Sequence, residues 1–247
     1  MLRRYVREDW LAREPDLAER EAEVLDLLAA TPVAAPDLVA VDPDAGACDV
    51  PAVLMTWLPG RPVTAGEARS ARGLDSWLER LAAPLLDIHA VTVPERLGVR
   101  PYRPYYLDDD LRPPPWTTRP ALWDRAIVVH RGPAPQGPTG LIHRDYHPGN
   151  VLWTGDAVTG VVDWAVASRG LPEADVGHCR LNLFGLAGPE AADRFLARWQ
   201  TLAGRTGYHP YWDVVAAVGS APESSNQVIP LFGLEDFLHR AVSQLRS

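Results

Sequence analysis

Lysine is absent from this chain, and all 24 of its basic residues are arginine. With abundant alanine, proline and glycine, that bias fits the coding pattern of a GC-rich genome, and it removes every ammonium side chain from the available chemistry. Cysteine is nearly absent too. Cys48 and Cys179 stand far apart without metal-ligand spacing, which argues against a disulfide framework or a metal site. No apolar run follows the arginines near Met1 and no segment approaches a membrane span, so the chain is expected to be cytoplasmic, with no leader and no membrane partner. Acidic residues are in excess. A formal net charge of −8 would repel nucleic-acid phosphates on average, which argues against that partner and is compatible with a cationic small molecule. There is no internal repeat, and the only low-complexity character is scattered proline. The 247 residues, 47% apolar, suffice for one substantial core or a two-lobed unit.

What is present is concentrated between Leu141 and Trp164, which reads L-I-H-R-D-Y-H-P-G-N-V-L-W, a short turn, then G-V-V-D-W. Leu141-Ile142 enters as a short apolar strand and Val151-Leu152-Trp153 leaves as another. Thr154-Gly155-Asp156 supplies a turn, and Val158 to Val162 returns toward Asp163. The pattern predicts a hairpin with oxygen ligands at both ends. Pro148-Gly149 bends the backbone so that the Asn150 amide turns toward the same region as Asp163.

The H-x-D-x-H-P-G-N-x-L form followed by Asp-Trp resembles the aminoglycoside phosphotransferase family and its choline-kinase-like relatives. That resemblance implies an α+β, protein-kinase-like, two-lobed fold and transfer of the γ-phosphoryl of ATP or GTP to a hydroxyl of a small molecule. It implies Asp145 as catalytic base, Asn150 and Asp163 as Mg2+ ligands, His143 as a structural member of the loop and Asp175 as its brace. The family more often has glycine where this chain has Arg144. His147 is expected to pack or hydrogen-bond within the loop rather than act in catalysis. No Asp-Phe-Gly or Ala-Pro-Glu follows Asp163, which disfavours a protein kinase.

Leu2 to Val6 reads as a strand, and Leu17 to Ala30 as a helix with Leu17, Val24, Leu25 and Leu28 on one stripe. Glu21 lies within that stripe and needs a cationic partner unless it leans out to solvent. In the absence of lysine the partner is Arg3, or Arg4 in a shifted register, and the resemblance places Arg3 and Glu21 at the nucleotide. Glu19, Arg20, Glu23 and Asp26 lie off the stripe and call for no functional role. Leu38 to Val41 and Ala52 to Trp57 read as strands before the stiff turn Leu58 to Pro62, which resembles the hinge between the lobes of that family; the resemblance implies that main-chain groups of Thr56, Trp57 and Leu58 meet a nucleobase. Ser76 to Val91 is expected to be a helix kinked at Pro84, with His89 structural.

These boundaries divide the chain into a partial amino-terminal lobe, 1–58, and a carboxy-terminal catalytic lobe, 59–247. If Leu2 to Val6 is the strand that normally bears lysine, the two strands and glycine-rich loop expected ahead of it are missing. The resemblance thus implies either a start upstream of Met1 or a degenerate chain, and a non-catalytic binding or regulatory protein is the rival reading. Gly132 to Thr139 imitates a Walker spacing, but Pro138 stands where lysine is required and the prolines delete backbone donors, so it is expected to be a linker. The Arg96 to Pro120 segment reads as an irregular insertion. Its Asp108, Asp109 and Asp110 could receive an ammonium-bearing acceptor or could be solvated or cap a helix.

Overall fold

The computed structural model describes residues 1–64, 67–68, 73–107, 110–221 and 233–245. Strand β1 (Leu2–Arg4), helices α1 (Glu8–Arg13) and α2 (Leu17–Leu28), and strands β2 (Leu38–Asp42) and β3 (Ala52–Met55) come first. The strands form an antiparallel sheet in the order β1-β3-β2, with Leu2 opposite Leu54 and Arg3 opposite Val53. Alternation across β1 turns Leu2 and Arg4 outward and Arg3 inward. That decides between the two arginines: Arg3 faces α2, whereas Arg4 pairs with exposed Asp49.

Most of the remainder is helical: α3 (Leu74–Ala90), α4 (Pro120–Arg131), α5 (Glu173–Ala187), α6 (Pro189–Ala203), α7 (Tyr211–Gly219) and α8 (Leu234–Gln244). Helix α3 continues through Pro84, and α4 starts on a proline, where a missing N–H costs nothing. Two small antiparallel ribbons carry the central loops, β4 (Gly140–Ile142) with β7 (Ser168–Gly170) and β5 (Val151–Thr154) with β6 (Ala157–Val161). The expected hairpin is the second ribbon.

One apolar cluster runs from Leu25 and Val53 through Leu78 and Leu85 to Phe195 and Trp199, tying the first sheet to α3 and α6. A second joins α4, α7 and α8 through Trp123, Val214 and Leu238. Helix α5 lies between α6 and α7 and is buried on several faces, so it lacks the apolar stripe of a surface helix. A Cβ on Gly177 would come within 2.6 Å of the Trp212 carbonyl, so only glycine allows α5 and α7 this approach. Between α5 and α7, Arg180 and Asp213 form a buried ion pair at 3.0 Å, with Tyr208 donating to Asp213 at 2.6 Å and Arg180 donating to the Ala192 carbonyl.

Arg20, off the stripe, is nonetheless buried, and its guanidinium meets Glu14 and Asp16, to which Arg100 also binds. Its place off the apolar stripe hid a polar network that closes α1 against α2. Glu23, also off the stripe, accepts from the Gly98 N–H at 2.7 Å. The proline- and tyrosine-rich segment is pinned by the Tyr102 N–H to the Arg169 carbonyl and by His130 Nε2 to the Tyr105 carbonyl.

Candidate active site

The loop from His143 to Asn150 joins β4 to β5, and its shape follows from Asp175 on α5. The fully buried Asp175 carboxylate accepts the His143 N–H at 2.8 Å and the Arg144 N–H at 2.6 Å, and His89 Nε2 lies 3.0 Å away. Those bonds hold Arg144 at φ +70°, a left-handed conformation costing a non-glycine residue roughly 1–2 kcal/mol. A glycine would be free of that cost. His143 Nε2 donates to the Val162 carbonyl at 2.9 Å and its ring packs on Trp164, tying the loop to the end of β6. Tyr146 anchors the other side by donating to the Leu81 carbonyl.

Asp145 emerges on this frame half-buried. Asn150 Nδ2 donates to its carbonyl at 2.9 Å and to Oδ2 at 3.1 Å, while His178 Nε2 lies 2.9 Å from Oδ1 and His147 Nε2 3.8 Å. Burial pushes this carboxyl up, but the hydrogen bond to His178 and the surrounding imidazoles outweigh it and hold the group well below the ordinary range. Asp145 is therefore ionised at neutral pH, suited to orient a hydroxyl and accept its proton late. His147 behaves differently. Burial drives it down to about 4, and its Nδ1 accepts the Gly149 N–H at 3.0 Å, which requires the neutral ring and caps the tight turn Pro148–Asn150.

Asn150 and Asp163 are brought together by the ribbon, since the Val162 N–H donates to the Asn150 carbonyl at 2.9 Å. Asp163 has φ +72° and a partly exposed carboxylate. The Asn150 amide donates through nitrogen, which leaves its oxygen as an acceptor. One amide oxygen and one carboxylate suit a magnesium ion that is shared with phosphates rather than caged by protein. Among the described residues no cluster of three or more His, Cys, Asp or Glu could hold a metal ion alone.

Arg3 spans the gap between this end and α2. It contacts Glu21 at 2.8 Å and Asp163 at 2.5 Å, and Tyr5 donates to the other Glu21 oxygen. Burial pushes the Glu21 carboxyl up despite these partners. In the segment after β3, the Thr56 N–H is taken by the Asp37 carbonyl, and the Trp57 side chain is 73% exposed. Leu58 lies against Gly160, where a Cβ would come within 2.4 Å of its methyl. Gly60, at φ +106°, passes so close to the Trp153 carbonyl that no side chain would fit. Asp110 pairs with exposed Arg112, and Asp108 and Asp109 lie outside the described residues.

A cleft of about 790 Å³ opens over Asp145, Asp163 and His178. His178 has no sequence signature of its own. It lies one helical turn after Asp175 on α5, so one face of that helix presents both, one to the loop's backbone and one to Asp145.

A mixed α+β chain with small sheets, a helical remainder and this loop defines the protein-kinase-like class of phosphotransferases. The chain belongs to the phosphotransferase enzyme family, whose model matches residues 2–212. It is 28% identical over 143 residues to a homoserine kinase of Beijerinckia indica subsp. indica, a match covering 52% of this chain and 40% of the relative. The aligned stretch thus spans two fifths of that relative's length. Among solved structures it is similar to a candidate aminoglycoside phosphotransferase of Ralstonia eutropha JMP134, with TM-score 0.65, 17% identity and coverage of 94% of this chain and 84% of that one. It is also similar to the streptomycin–ATP ternary complex of APH(2")-IIa, with TM-score 0.59, 13% identity and coverage of 88% and 73%.

Proposed function

We propose that the protein transfers the γ-phosphoryl of ATP or GTP to a hydroxyl of a small molecule. The observation that carries this reading is the Asp145 carboxylate, ionised and fixed by Asn150 and His178 at the floor of an open cleft, with Asp163 lining the same cleft. The acceptor oxygen forms a bond to the γ-phosphorus, the bond from that phosphorus to the β–γ bridging oxygen breaks, and the nucleoside diphosphate leaves. Asp145 orients the hydroxyl and takes its proton. Asn150 and Asp163 would hold Mg2+, which supplies charge neutralisation at the phosphates. His143 and Asp175 position the loop.

Residues 1–58 act as the partial nucleotide-side lobe and 59–247 as the catalytic lobe. Arg3, held by Glu21, stands where it can meet phosphates, and the main-chain groups of Trp57 and Leu58 are without a protein partner among the described residues and can face the base. A nucleoside triphosphate donor points to the cytoplasm. Similarity to an APH(2")-IIa complex with streptomycin and ATP, and to a homoserine kinase, supports a small-molecule acceptor and a nucleotide donor without choosing among acceptors.

The Arg3–Asp163 ion pair favours a second reading, a kinase-fold binding protein whose metal carboxylate is already occupied. Nucleoside diphosphate release, followed across a panel of alcohols with 31P NMR of the products, separates the two. A phosphate ester formed in the presence of Mg2+ establishes transfer, and nucleotide binding without any product supports the second reading.

A further inference from the structure

The cleft over Asp145 is lined by six arginines, Arg7, Arg13, Arg20, Arg100, Arg103 and Arg144, against four carboxylates, Asp9, Glu14, Asp145 and Asp163. Three of these carboxylates already face an arginine of the chain, and the fourth faces an imidazole: Asp9 meets Arg7, Glu14 meets Arg20 and Arg100, Asp163 meets Arg3, and Asp145 meets His178. The cleft wall is therefore cationic, although the whole chain has a formal charge of −8.

Arg144 stands directly beside Asp145 in this wall. Its guanidinium has no carboxylate partner among the described residues. One terminal nitrogen donates to the Arg103 carbonyl at 2.9 Å, and the group lies 4.0 Å from the centre of the Tyr105 ring and 5.7 Å from that of Tyr102. Stacking on tyrosine fixes the plane of the fork, so less side-chain freedom is lost when it meets an oxyanion. The residue precedes Asp145 directly, and its backbone sits at φ +70°, where glycine would be unstrained. A strained non-glycine residue beside the reacting group, carrying an unneutralised charge, is a reason to look for a ligand.

We propose that Arg144 is an acceptor-specificity residue: it binds an oxyanion, a carboxylate or a phosphate, on the molecule whose hydroxyl meets Asp145. This assignment rests on the phosphotransfer reading above and narrows its acceptor to an anionic alcohol. A planar guanidinium can engage either oxyanion through two parallel hydrogen bonds. A polycationic acceptor would instead meet arginine where it needs carboxylate.

Calorimetry on the full chain, without nucleotide, tests the anion site directly with 4-hydroxybutyrate, its primary amide, glycerol 3-phosphate, glycerol and kanamycin. At least one of the two anions should bind, and its neutral counterpart should not; which anion binds distinguishes carboxylate from phosphate. Arg144→Gly should weaken that binding about 10- to 100-fold, Arg144→Lys less, and neither should alter the response to the neutral alcohols. Arg144→Gly relieves the left-handed backbone, so its melting temperature should be equal to or above wild type, which separates loss of binding from loss of fold. Failure of both anions to bind at millimolar concentration, equal binding of anion and neutral counterpart, tighter binding of kanamycin, or unchanged binding in Arg144→Gly would overturn the proposal. Nucleoside diphosphate release on the same panel keeps the two readings apart. Anion binding that depends on Arg144 without turnover of any alcohol defeats phosphotransfer alone, whereas turnover of an anionic alcohol with the same kcat/KM in wild type and Arg144→Gly defeats this assignment alone.

Discussion

The Arg3 guanidinium contacts the Asp163 carboxylate at 2.5 Å across 160 positions of sequence, while its other terminal nitrogen holds Glu21. A cation bound at Asp163 must share or displace that contact. Asp163→Ala is expected to retain nucleotide binding but lose its dependence on Mg2+, because a carboxylate shared with phosphates supplies much of a magnesium site. Calorimetric titration of nucleotide with and without Mg2+ measures this, and equal dependence in both proteins would remove Asp163 from the metal site.

Arg3 also neutralises a buried carboxylate. Arg3→Met should lower the free energy of unfolding by about 3 kcal/mol, since it strands Glu21 among apolar neighbours, and adding Glu21→Gln should recover part of the loss. Urea unfolding of the two single variants and the double variant provides the cycle. Strict additivity would show that the pair is not coupled.

Asp145→Asn should reduce kcat by roughly 10²- to 10⁴-fold with little change in nucleotide affinity, because the amide cannot accept the acceptor's proton. Steady-state kinetics on any acceptor found by the product assay is the measurement. An unchanged kcat would take Asp145 out of the mechanism.

His147 sets a pH dependence of stability. Its folded pKa, about 4, lies below its ordinary value of 6.5, so between those values the unfolded chain binds a proton that the folded chain refuses. Its contribution is fully present above pH 6.5 and is lost as pH falls toward 4, at a slope of at most about 1.4 kcal/mol per pH unit. Urea midpoints at pH 7.5 and pH 5 should differ less in His147→Asn than in wild type. Equal differences would count against a neutral, buried imidazole.

The Arg180–Asp213 pair tests the packing of α5 on α7. Asp213→Asn leaves the buried Arg180 guanidinium with only the half-exposed Asp193 at 3.5 Å as counter-charge and should cost about 3 kcal/mol. Loss of less than 1 kcal/mol by thermal unfolding would show that water reaches the site.

Much of the local structure was legible because it is written at short range. The Val151–Trp153 and Val158–Val162 runs with a Thr-Gly-Asp turn could hardly form anything but the β5–β6 ribbon, and the stripe of α2 is plain in the spacing of Leu17, Val24, Leu25 and Leu28. Other elements were obscured. Helix α4 carries Leu122, Trp123, Ala126 and Ile127 at helical spacing but follows a proline-rich run, and α5 has polar and apolar residues on all sides because it is enclosed. Strand β7 is three residues long and exists by pairing with β4 and, at Arg169, with the Arg100–Tyr102 segment.

The order of His143, Asp145, Asn150 and Asp163 was determined by the sequence alone, since a loop and a hairpin need only their own turn residues to present them in that order. The choice of Arg3 over Arg4 came only with the tertiary structure, because it depends on which face of β1 packs against α2. The same holds for His178 at Asp145 and for the unneutralised Arg144 on its bed of tyrosines. Each of these contacts joins residues far apart in the chain. No local periodicity encodes them, and they form only when the helices pack and strip water from the groups between them.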